Sequence, residues 1–177
     1  DRIAIFARNY WELTFRFPEA IASLIANFED LELRTEYSKT LFSEMGNGNP
    51  KAVHYILFEN FCNDLAYHMG HPDYLKIDNL KMKLNLLPET VSFIKGQRSL
   101  YSKSPEIATG AQLAMEWQAY TMIRKLYDGA RNYIDAWPNQ DSFHESCEFF
   151  YAHIGSAEKE HKIEALNAAY NVFENEK

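Results

Sequence analysis

Four places in the sequence carry ionisable side chains inside apolar stretches, where burying an unpaired charge is costly. Glu44 stands just before Gly46-Asn47-Gly48-Asn49-Pro50, and His54 follows within Ala-Val-His-Tyr-Ile-Leu-Phe. Glu116 lies in Leu-Ala-Met-Glu-Trp-Gln-Ala-Tyr. His153 closes Phe-Phe-Tyr-Ala-His and leads to Glu158-Lys159-Glu160-His161. Taken singly, a helical Glu reads as a solvated residue, and a His among aromatics reads as a hydrogen-bonded core residue. Taken together, Glu44, Glu116 and Glu158 with His54, His153 and His161 supply carboxylates and imidazoles from separate segments. Divalent iron or manganese suits that mixture. A structural zinc site would recruit the cysteines, and calcium would want oxygen ligands alone.

The segments that must position these residues read as helices, because strand signals are nearly absent and apolar residues recur every three to four positions. Ile3, Phe6, Tyr10, Leu13 and Phe17 mark a first helix, which Pro18 is expected to break or restart through Ile21, Leu24 and Phe28. A second runs from about residue 32 to Glu44. Pro50 is placed to open the helix that carries His54, which His68-Met69-Gly70-His71-Pro72 ends. A weaker piece spans residues 73–86, and Pro88 opens another. Ser104-Pro105-Glu106 starts a long helix that carries Glu116 to about Ile134. Ser142-x-x-Glu145 reads as a capping box for a last helical region, 142 to about 174, interrupted at Gly155 and Ser156. The picture is one all-α bundle of about seven helices, a single domain over residues 1–177.

Composition narrows the function classes. The chain has 177 residues and a formal net charge of -7, with no long basic run, which argues against nucleic acid and anionic membrane surfaces as partners. No apolar run approaches the length that spans a bilayer. Cys62 and Cys147 are far apart and lack metal or redox spacing, which suits a reducing cytoplasm and reads as buried small hydrophobes. The chain begins at Asp1 without an initiator Met, so terminal residues are expected to be missing.

Glu158-x-x-His161 is the pairing that sets a carboxylate and an imidazole on one helical face in carboxylate-bridged di-iron bundles. Glu44 followed by His54, then Glu116 in a long apolar helix, then Phe-Phe-Tyr-Ala-His153 leading to Glu158 and His161 resembles the heme-oxygenase-like diiron oxidases. Within them, the branch around the chlamydial protein associating with death domains and its cyanobacterial relatives is the most similar. The resemblance implies a heme-oxygenase-like bundle in which Glu44 and His54 come from a first core helix, Glu116 from a second, and His153, Glu158 and His161 from a third. It also implies two Fe(II) ions, O2 as co-substrate, an external electron source, and a small amino-acid-like or carboxylate substrate. The reactions of such enzymes are N-oxygenation, oxidative C–C cleavage, decarboxylation or nitrile formation. A homodimer is compatible with this reading.

The family spaces its third-helix ligands one residue more tightly than this chain does. One extra residue near Gly155, as a π-bulge or a break between two helices, would bring Glu158 and His161 into place. A further carboxylate one helix earlier has Glu19 as its counterpart. The self-sacrificing branch puts Tyr directly before the second-helix Glu, where this chain has Met115. Tyr120, one turn beyond Glu116, could still stand near the metals as a catalytic residue, and Arg124, two turns beyond, could anchor a substrate carboxylate. His68-x-x-His71 with Asp73 reads as turn residues rather than a second metal site. Two other readings stand beside the diiron one. The first is a metal-independent enzyme of the same fold, thiaminase-like or quinone-cofactor-synthase-like, although neither cysteine has the setting of a nucleophile. The second is a non-enzymatic interaction module.

Overall fold

Pro18 removes a backbone donor from the first helical stretch, yet the helix does not break there. The computed structural model describes the backbone of residues 2–174, and their side chains except at 156–161 and 173–174. In it α1 runs unbroken over Arg2–Asn27 with Pro18 buried inside it. Packing on both sides of the proline keeps it helical. Ala7, Tyr10 and Trp11 enter one apolar cluster with Leu57, Phe58, Phe61, Phe149 and Phe150. Ala20, Ile21, Leu24 and Phe28 enter a second with Leu33, Tyr37, Tyr101 and Ala168. The lost hydrogen bond is a local cost, and two buried faces outweigh it.

Among the described residues the chain forms nine α-helices and no strand, dividing the predicted helical content more finely than about seven segments. After α1 come α2 (Leu31–Glu44), α3 (His54–His68), α4 (Ile77–Lys83), α5 (Pro88–Tyr101), α6 (Pro105–Ala130), α7 (Gln140–Ser146), α8 (Glu148–Ile154) and α9 (Ser156–Glu174). Asp30 caps α2, its carboxylate accepting from the Leu33 N–H at 2.9 Å. Pro50 opens only a single 3₁₀ turn, Pro50–Ala52, and α3 begins at His54, because Val53 is extended. The expected capping box at Ser142 gives way to Asn139, whose side chain accepts from the Ser142 N–H at 2.9 Å, so α7 starts earlier. The last helical region is interrupted at Cys147 as well as at Gly155. At Gly155 a Cβ would lie 2.9 Å from the Tyr151 carbonyl oxygen, so a break between two helices sits where the ligand spacing called for one extra residue.

Helix α6 packs chiefly against α9, and α8 lies against both α3 and α6. Lys162 of α9 stands 3.4 Å from the centre of the Trp117 ring on α6. Along one side of α1 an ion network replaces apolar packing. The Glu12 carboxylate accepts from Arg8 and from Arg16, each at 2.9 Å, and is buried. Burial alone would push the Glu12 carboxyl up, but the two guanidinium groups outweigh it and hold it below the ordinary value. No helix of the described residues is long and apolar enough to cross a membrane.

Candidate metal centre

Glu44 is the last residue of α2 and His54 the first of α3, and the link between them folds back on itself. Gly46 makes that possible. Its φ is +73°, and a Cβ there would lie 2.6 Å from the Ala52 carbonyl carbon and 2.7 Å from the Val53 nitrogen. Only glycine allows this approach, which brings the residues just before His54 against those just after Glu44. The result is His54 Nδ1 at 2.9 Å from Glu44 Oε2, with both side chains buried.

His153 completes the group from α8. Its Nδ1 lies 2.7 Å from the Phe149 carbonyl oxygen, which can only accept, so Nδ1 carries the proton. Nε2 is then the nitrogen that faces the carboxylate, 3.9 Å from Glu44 Oε1. The rings of His54 and His153 meet edge to face with centroids 4.4 Å apart. One donor atom from each of Glu44, His54 and His153 lies within 4.8 Å of the others. Among the described residues this is the single group of such ligands.

The chemistry of the donor set fits a divalent cation. A carboxylate at the C-terminal end of α2 faces the negative end of that helix's dipole, and a positively charged His54 would face the positive end of α3. Neither helix favours its own residue's charge. A cation between them offsets Glu44, and neutral His54 suits both its helix end and a metal. The His153 tautomer presents a lone pair held in direction by a backbone carbonyl, as metal-ligating imidazoles commonly are.

Glu116 reaches the same place from α6. It is buried, and with Glu44 and His153 it lines a cavity of about 260 Å³ whose other walls are mostly apolar. Tyr10, Leu13 and Phe17 of α1, Phe93 of α5, and Met115, Ala119, Met122 and Ile123 of α6 form those walls. Thr14, Gln97 and Gln118 are the uncharged polar residues of the lining. Glu116 accepts a hydrogen bond from the Gln112 side chain one turn earlier. Tyr37 is buried nearby, and burial with the Glu116 charge pushes its phenol up to about 12 against the opposing Thr109 hydroxyl.

Of the predicted site residues, Glu44, His54 and His153 come together as a group that could hold a metal ion, and Glu116 lines the same cavity as Glu44 and His153. The side chains of Glu158 and His161 lie outside the described residues. Tyr120 is half-buried and is not part of the cavity lining, which α6 supplies through Met115, Glu116, Gln118, Ala119, Met122 and Ile123. Arg124 is exposed and also stands outside the lining. Glu19 belongs to a surface network with Arg16 at 2.9 Å and Arg98 at 2.5 Å rather than to the Glu44 group. Cys62 is buried, and burial pushes its thiol above the ordinary range, the opposite of an activated nucleophile. His68 packs against Trp137, the rings tilted by 37° with centroids 5.0 Å apart.

Sequence reasoning missed Gln112, Tyr101, Gln97 and Tyr10. Gln112 had a readable signal: a polar residue in the apolar run before Glu116, at the spacing that shares its helical face. Tyr101 and Gln97 had none, since only the packing of α5 on α6 brings them near.

A family model described as iron-containing redox enzyme matches residues 4–177, nearly the whole chain. The chain belongs to that family, is an oxidoreductase, and has a heme-oxygenase-like helical bundle. Searches among curated proteins and solved structures found no match.

Proposed function

We propose that this protein is a non-heme diiron oxidase in which Glu44, His54, Glu116 and His153, with Glu158 and His161, hold two Fe(II) ions. The observation that carries the reading is the buried Glu44–His54–His153 group opening onto the same apolar cavity as Glu116. The ligand order is similar to that of the branch around the chlamydial protein associating with death domains.

Iron(II), when bound, supplies the electrons and coordination positions for reducing O2, with an external donor restoring them. The chain does the rest. Leu13, Phe17, Phe93 and Met122 exclude water and take the apolar part of a small amino-acid-like or carboxylate substrate. Gln97 and Gln118 offer it neutral hydrogen bonds. His153 Nδ1 donates to the Phe149 carbonyl, which fixes the ring so that Nε2 would be the nitrogen offered to the metal. The raised Tyr37 phenol keeps its proton near Glu116 across the physiological range. N-oxygenation, C–C cleavage, decarboxylation and nitrile formation are the reactions to assay.

The test is metal analysis after anaerobic Fe(II) loading, followed by O2 while absorbance is recorded. About two irons per chain and a transient visible band are expected, as for carboxylate-bridged diiron bundles. Equal iron in wild type and the His54→Ala/Glu116→Ala double variant would overturn the reading.

A further inference from the structure

Three side chains behind Glu116 form a hydrogen-bonded row whose donors all point the same way. Gln97 Nε2 donates to the Tyr101 hydroxyl at 3.2 Å, Tyr101 donates to Gln112 Oε1, and Gln112 Nε2 donates to Glu116 Oε1. Tyr101 and Gln112 are completely buried, and Gln97 lies on the cavity wall. Each bond fixes the next. A phenol has one proton, so Gln97 donating to its oxygen leaves that proton to be directed at Gln112. A carboxamide has one oxygen and one NH2, so an acceptor engaged by Tyr101 turns the NH2 toward Glu116. Flipped, the amide would set its oxygen against a carboxylate oxygen and its NH2 against the phenol proton, losing both bonds at a fully buried side chain.

We propose that Gln112 and Tyr101 are positioning residues that hold the Glu116 carboxylate in one orientation for metal, with Gln97 anchoring the row at the substrate cavity. The proposal rests on Glu116 being a ligand, as in the function proposed above. It accounts for an otherwise costly placement, since fully buried amide and phenol groups in a helical core would more simply be leucine and phenylalanine. It also gives the cavity wall a link to the metal centre, because Gln97 touches both the substrate space and the row.

Co(II) serves as the probe, its affinity measured by titration calorimetry and its coordination by the visible ligand-field spectrum. The metal-free melting temperature is recorded for each variant. Outer-shell partners of metal ligands typically contribute about 10- to 100-fold to affinity, and Gln112→Met is expected to fall in that range with an altered spectrum. Tyr101→Phe keeps the ring and should weaken Co(II) by roughly threefold to tenfold, a smaller loss because its effect passes through Gln112. The double variant should be no weaker than Gln112→Met alone, since the tyrosine has nothing left to orient. Unchanged affinity and spectrum in both single variants overturns the proposal while leaving the metal centre standing. Additive losses, or losses that merely track a lowered metal-free melting temperature, also overturn it, because both describe packing rather than orientation. A wild-type protein that binds no Co(II) removes the metal centre itself and this proposal with it.

Discussion

His54 Nδ1 meets Glu44 Oε2 at 2.9 Å although the two residues close and open different helices. Their meeting depends on a loop that doubles back at Gly46, where the backbone of Ala52 and Val53 leaves no room for a side chain. The geometry of the candidate site is therefore encoded partly in a residue that has no donor side chain.

Gly46→Ala tests that dependence directly. The left-handed backbone alone costs on the order of 1–3 kcal/mol for a non-glycine residue, and the Cβ overlap with backbone adds to it. Chemical denaturation of the metal-free variant should show a loss of at least about 2 kcal/mol, with metal affinity falling as well. Gly48→Ala is the control, because its Cβ would meet only the Phe42 ring at ordinary distance and the backbone strain remains. A Gly46 variant no worse than the Gly48 variant would show that the close approach does not matter.

Filling the cavity separates metal binding from substrate binding. Ala119→Phe projects a ring from α6 into the apolar space between Leu13 and Met122. Iron content should stay that of wild type, while kcat/KM for any identified substrate falls at least about tenfold, a transition-state loss of about 1.4 kcal/mol. Full activity in this variant would place the substrate elsewhere.

Glu12 makes stability acid-sensitive. Its carboxyl sits below the ordinary value in the folded protein, held there by Arg8 and Arg16 against the opposing effect of burial. Its contribution is therefore complete above the ordinary glutamate range and is lost as pH falls through the depressed folded value. Glu12→Gln should lose roughly 1–3 kcal/mol at neutral pH and flatten the acid limb of a melting-temperature profile. Parallel acid limbs for variant and wild type would show that the pairs hold nothing.

Tyr37 acts at the other end of the pH scale. Its folded value is about 12 against an ordinary 10.0, so between those values the folded chain keeps a proton that the unfolded chain gives up. Stability must fall as pH rises through that window, by up to about 1.4 kcal/mol per unit. Tyr37→Phe removes this slope, and denaturant titrations at several alkaline pH values measure it. The same slope in the phenylalanine variant would assign it to other groups, Tyr101 first among them, since burial raises its phenol too.

Much of the candidate site was legible because each of its ionisable residues is embedded in a run of apolar ones. Glu44, His54, Glu116 and His153 all stood out by that contrast. The helical class was legible for the same reason, since three-to-four spacing is a property of short windows. What local sequence could not show was decided by distant packing. Pro18 reads as a break in isolation, and only the faces buried on both sides keep α1 whole. Arg124 shares a side with Glu116 on an ideal helix, but the cavity takes Ala119 and Ile123 and leaves Arg124 in solvent. Ser142 carried a capping signature, yet Asn139 reached the free N–H first. Gln97 and Tyr101 carry no pattern that points to Glu116 from another helix.

The unbroken α1 also bears on how the molecule comes apart. Tyr10 and Trp11 join one apolar cluster and Ile21 and Leu24 the other, on a single helix with the cavity residues Leu13, Thr14 and Phe17 between them. Loss of either cluster removes one of the two buried faces that hold this helix in place. Unfolding of the two clusters is thereby coupled through α1, and the cavity lies along the stretch of it that joins them.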